Sequence, residues 1–174
     1  MGQSASLYPV TAAEFELLKA NSDLTELPDI SERAETFEKS FEGLQFVLAK
    51  CFDGSDRSLV SEIFYPNEFL GEEPDYGTMD FDNYEETEEP LYYLSPQKVQ
   101  KINTLISGLT EAVFISRYDS AELNDNEVYP ENWDDSEDSN RSCNSRHLAE
   151  QFAALQIIFS EAAAGKNYLL VYIG

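Results

Sequence analysis

Apolar residues recur along this chain as a two-residue alternation at its start, a three-to-four-residue step through its middle and a continuous run near its end. At the start, Ala5, Leu7 and Pro9 alternate with Ser4, Ser6 and the amphipathic Tyr8, predicting a short strand, with Pro9 placing it at a sheet edge. Thr11-Ala-Ala-Glu14 follows, a capping box in which the Thr hydroxyl and the Glu carboxylate serve each other's backbone amides. Val10 and Phe15 occupy the two staple positions around it, so a helix starts near residue 12 and turns Phe15 and Leu18 inward. At the other end NYLLVYI, aromatic and aliphatic throughout, predicts a buried strand.

Between these ends the helical step dominates. In AETFEKSFEGLQFVLAKCF, Phe37, Phe41, Leu44, Leu48 and Cys51 form one continuous stripe, which Phe46 and Val47 widen, predicting a central helix. Gly43 inside it costs about 1 kcal/mol relative to Ala, which points to another backbone passing close by. Cys51 reads as a small buried hydrophobe. SLVSEIFY predicts a short helix. Ser95 and Pro96 suit the cap and first position of another, with Val99, Ile102, Ile106 and Leu109 on its buried face. TEAVFISRY gives a further helix with Phe114, Ile115 and Tyr118 inward. In the last helix Leu148, Phe152, Leu155, Phe159 and Ala162 keep the period until Gly165, expected as its C-cap. Two polar stretches at about 71–90 and 124–143 break the pattern and read as acidic loops. The sum is a mixed α+β single domain over residues 1–174, a small sheet including both chain ends packed with four or five helices.

Composition changes this picture in one respect. At 42 % hydrophobic residues the chain can build a core, yet it carries 34 acids against 11 bases, a net charge of −23. Such a surface repels phosphate backbones and anionic lipid, so neither nucleic acid nor membrane is an expected partner. Gly2 with Ser6 fits an N-myristoylation pattern, but a segment sewn into a sheet offers no free arm. No apolar stretch is long enough to span a bilayer, and no basic-then-apolar signal precedes the first helix. Cys51 and Cys143 then read as reduced thiols, and a cytoplasmic location is expected.

Five blocks in order carry a family resemblance. The opening MGQSASLYPVTAAEFELLK, EKSFEGLQFVLA with Phe41 where Trp is usual, YYLSPQKVQKI, EVYPENWDD and the closing AAAGKNYLLVYIG resemble the YfbM-like family, small bacterial proteins catalogued as a domain of unknown function. The resemblance implies a sandwich-like α/β single domain and brings no agreed activity, cofactor or catalytic residue. The acid-rich loops are longer here than is typical, so a function tied to them could be this chain's own.

Candidate chemistry is sparse. Cys143 and His147 stand four apart at the start of the last helix, where the helix dipole favours a thiolate, although an exposed, frayed helix start explains both as well. His147 is the sole histidine and no CxxC or HxxxH spacing exists, which disfavours a transition metal. Asp134, Ser136 and Asp138 repeat as in an EF-hand loop, but Ser139 and Ser145 stand where its Gly and bidentate Glu belong, so no designed calcium site is expected. With 34 acids, the presence of carboxylate pairs for hydrolysis carries no information. No catalytic residue, metal ligand or cofactor is assigned.

Aromatic rings interleaved with acids are the stronger signal. Tyr76, Asp80, Asp82, Tyr84, Glu85 and Glu86 in the first loop form a candidate partner-binding surface with Tyr129, Trp133, Asp134 and Asp135 in the second. The expected function is non-enzymatic binding of a basic protein, of the immunity or antitoxin kind. The alternative is a small-molecule-binding domain or hydrolase with a cleft near Trp133 and His147.

Overall fold

Both chain ends enter one sheet. The computed structural model describes residues 2–20, 31–71, 90–138 and 140–174, and all structural statements refer to these. The strands are β1 (Ser4–Val10), β2 (Glu35–Glu38), β3 (Glu68–Leu70), β4 (Leu91–Leu94) and β5 (Tyr168–Ile173). They pair antiparallel throughout in the order β2-β1-β5-β4-β3, which puts the first and last strands side by side at its centre. Ser4 and Gly174 exchange backbone hydrogen bonds of 2.7 and 3.0 Å.

The helices are α1 (Ala12–Ala20), α2 (Phe41–Ala49), α3 (Gly54–Val60), α4 (Pro96–Ser107), α5 (Glu111–Ile115), α6 (Ser120–Asp125) and α7 (Ser145–Gly165). Side chains alternate across a strand, and here each face has its own core. Ala5, Leu7, Phe37, Leu94, Leu169 and Val171 join the main core with α2, α4, α5 and α7. Val10, Leu91 and Leu170 meet Phe15 and Leu18 of α1 on the other face. The Phe15 ring stacks on Tyr168 at 3.8 Å. The capping box that starts α1 is formed: the Thr11 amide donates to Glu14 Oε2 at 2.7 Å, and the Glu14 amide to Thr11 Oγ1 at 3.3 Å. Burial would raise the Glu14 pKa, but Arg33 and Thr11 prevail and hold it below the usual value.

Four sequence expectations are corrected. Phe37 lies on β2, so the central helix is the shorter α2: Lys39, at φ 24°, breaks the chain between strand and helix, and the 37–41 spacing matches a helical step only by coincidence. β1 is not an edge strand. β2 pairs only with Ser4–Leu7, so Pro9 sits past its end and its missing N–H costs no ladder bond there. The left-handed residue after α7 is Lys166, at φ 53°, and Gly165 is helical. Among the described residues there are seven helices, the extra ones being short turns such as α6, which ends where the expected second loop begins. The loop at 72–89 lies outside the described residues.

Candidate functional site

The second acidic stretch is built around a buried indole. Between Asp119 and Asn140 stand nine carboxylates and no Lys or Arg, and Asp119, Asp125, Glu127, Glu131, Asp135, Glu137 and Asp138 are exposed. A chain so polar cannot fold on its own apolar surface. It is instead pinned by side-chain hydrogen bonds. The Asn124 amide grips the Trp133 backbone from both sides, its Nδ2 donating to the Trp133 carbonyl at 2.9 Å and its Oδ1 accepting from the amide at 3.0 Å. The Trp133 Nε1 donates to the Val128 carbonyl at 2.9 Å. The Tyr118 hydroxyl donates to the Asp134 carbonyl at 2.6 Å, and burial, then Asp135 and Asp134, push its pKa well above the ordinary value.

The segment is also tied to α7. The Asp134 amide donates to the Cys143 carbonyl at 2.9 Å, and Asn144, wholly buried, donates from Nδ2 to the Asp138 carbonyl at 3.1 Å. The same Asn144 caps α7 through its Oδ1, which accepts from the His147 amide at 2.9 Å. Asp134 itself accepts from the Ser136 amide and pairs with Arg141, and these two partners hold its carboxyl at a pKa of about 2. Both its oxygens are thereby engaged. No group of three or more His, Cys, Asp or Glu side chains among the described residues is placed to hold a metal ion.

These positions revise the sequence-derived surface. Trp133 does not stand on it: only 4 % exposed, its ring packs onto α2, where a Cβ on Gly43 would lie 2.1 Å from Cη2. The close neighbour expected at Gly43 is therefore a side chain and not a second backbone. Tyr129 is half-buried. Its amide donates to Glu42 Oε2 at 3.3 Å, and its hydroxyl accepts from the Gln3 amide at 3.2 Å, which docks the start of the chain onto this loop. Glu42 also accepts from the Tyr65 hydroxyl at 3.1 Å, and burial, then Glu42, raise that phenol to about 12. Asp135 is exposed and Asp134 half-buried. Tyr76, Asp80, Asp82, Tyr84, Glu85 and Glu86 lie outside the described residues.

Cys143 and His147 do not form a pair. Cys143 is 6 % exposed, and burial raises its thiol pKa, the opposite of an activated nucleophile. His147 turns instead to Ser40, its Nε2 lying 3.1 Å from Oγ, while Nδ1 is 3.9 Å from Glu150 Oε2. A serine, a histidine and a carboxylate in this order resemble a hydrolytic triad, yet Ser40 has no exposed surface. Its hydroxyl donates to the Glu38 carbonyl at 2.9 Å, and in that arrangement its oxygen accepts from a protonated His147 Nε2. Nothing in the sequence linked residues 107 positions apart. One depression lined by described residues lies between α3 and α4. No helix among the described residues is long and apolar enough to cross a membrane.

Comparisons with known proteins agree on the fold. The chain matches a family described as a domain of unknown function (DUF1877) over residues 1–172. No curated protein matches it. The crystal structure of YfbM from Escherichia coli, a protein of unknown function, superposes with a TM-score of 0.66 at 15 % identity, covering 98 % of this chain and 99 % of that one. The chain thus belongs to the DUF1877 family and shares the YfbM-like α+β fold, with its five-stranded antiparallel sheet.

Proposed function

We propose that this protein is a non-enzymatic, cytoplasmic binding protein that takes a basic protein partner on its acidic surface, in the manner of an immunity protein or antitoxin. One observation carries the reading: the loop bearing the exposed carboxylates is held in a fixed shape by Asn124, Trp133, Tyr118 and Asn144. A loop that only kept the protein soluble would need no such bracing. Bracing lowers the ordering cost of binding, and a net charge of −23 steers basic partners toward it. Tyr129, Asp134 and Asp135 lie on this face with Glu127, Glu131 and Glu137, and Trp133 serves as its buried anchor. Tyr76, Asp80, Asp82, Tyr84, Glu85 and Glu86 extend the proposed surface by their sequence.

The test is capture from native cytosol at low salt, comparing the wild-type chain with a Glu127→Gln, Glu131→Gln, Asp135→Asn, Glu137→Gln variant. The reading expects a stoichiometric basic partner that is released by salt and absent from the variant. The same proteins on both baits, or none on either, would overturn it.

A further inference from the structure

α3 and α4 leave between them a depression of about 260 Å3, lined by Asp56, Leu59, Lys101, Thr104 and Leu105. Leu59 and Leu105 are half-buried and pack against the main core, so its floor is aliphatic and fixed. Its rim is charged with opposite signs: Asp56 on α3 and Lys101 on α4 are both exposed, and no ion pair joins them. The Thr104 hydroxyl donates to the Gln100 carbonyl at 2.9 Å, which leaves its oxygen able to accept from a ligand.

An apolar floor with one carboxylate and one ammonium at its rim complements a zwitterion carrying an aliphatic side chain. The volume falls below the roughly 300–1,000 Å3 of sites for drug-sized ligands, which suits a metabolite the size of one amino acid. We propose that this depression binds a free aliphatic α-amino acid. Its carboxylate faces Lys101, its ammonium faces Asp56 and the Thr104 oxygen, and its side chain rests on Leu59 and Leu105. A ligand stripped of either charge leaves one rim group without a partner, so both charges are required. The proposal is independent of the acidic-loop reading, because it uses different residues and a different ligand.

Titration of the full chain with L-leucine, followed by amide chemical shifts, tests it. Saturable shifts are expected along 54–60 and 99–107, with a dissociation constant on the order of 1 mM. Isoamylamine, which lacks the carboxylate, and 4-methylpentanoate, which lacks the ammonium, should each bind at least about tenfold more weakly. Lys101→Met and Asp56→Asn, both at exposed positions, should keep the wild-type Tm and lose the leucine shifts. No saturable shift with leucine, equal binding of 4-methylpentanoate, or unchanged leucine shifts in Lys101→Met would overturn the proposal.

Discussion

The Trp133 indole lies directly on the bare backbone of Gly43, so close that a β-carbon there would stand 2.1 Å from Cη2 and 2.3 Å from Cζ2. This contact joins the acidic segment to the central helix. Gly43→Ala gains about 1 kcal/mol of helix propensity but forces a buried ring from its place, which outweighs the gain. A net loss of about 2 kcal/mol is expected in urea unfolding. Trp133→Phe in the same chain should relieve part of that loss, giving a non-additive double-mutant cycle.

Asn124 holds both backbone groups of Trp133. Asn124→Ala leaves that amide and carbonyl without partners in a part-buried setting, at a cost of about 1–3 kcal/mol. Hydrogen exchange should accelerate at 131–138 while β5 remains protected. Equal acceleration in both would mean that the loop is not separately braced.

His147 sits in a half-buried place where burial depresses its pKa below the ordinary value. The folded chain therefore binds fewer protons at this site than the unfolded one near pH 6.5. The contribution of His147 is complete above that pH and falls away as pH drops from there through the lowered folded value. Because His147 is the sole histidine, its ring protons report the folded pKa directly. His147→Gln should flatten the stability profile across that window, and an unchanged slope would assign it to carboxylates.

Lys166 adopts φ 53° at the end of α7, a conformation that costs an L-residue roughly 1–2 kcal/mol. Lys166→Gly removes that strain at some cost in chain entropy, so a net gain of about 0.5–1 kcal/mol is expected in thermal or urea unfolding. Gly165→Ala should be tolerated, since residue 165 is helical and the atoms its β-carbon would meet belong to the Asn167 side chain.

What the sequence made legible was periodic and local. The capping box of α1, the buried faces of α4 and α7, and β5 all follow from spacings of a few residues, where sterics and burial act together. Phe37 misled because one strand residue next to a helix can fall on the helical step. The strand β3 and the turn α6 are too short to impose a pattern. For the acidic segment, charge suggested a wet loop, whereas Trp133 is buried by partners on α2 that no local spacing reveals. Ser40 and His147 likewise meet only through the packing of α7 against the β2–α2 turn. For the acidic segment and the Ser40–His147 contact, remote segments and not local propensity decided the outcome.

The hydrogen-bonded neighbours Ser4 and Gly174 bring the start of β1 and the residue after β5 within reach of one another. A few bridging residues could close the backbone into a loop, and a cut at the exposed, unobstructed Gly54 would reopen it in a new order. Such a rearranged polypeptide would keep every strand partner while reversing which half leaves the ribosome first.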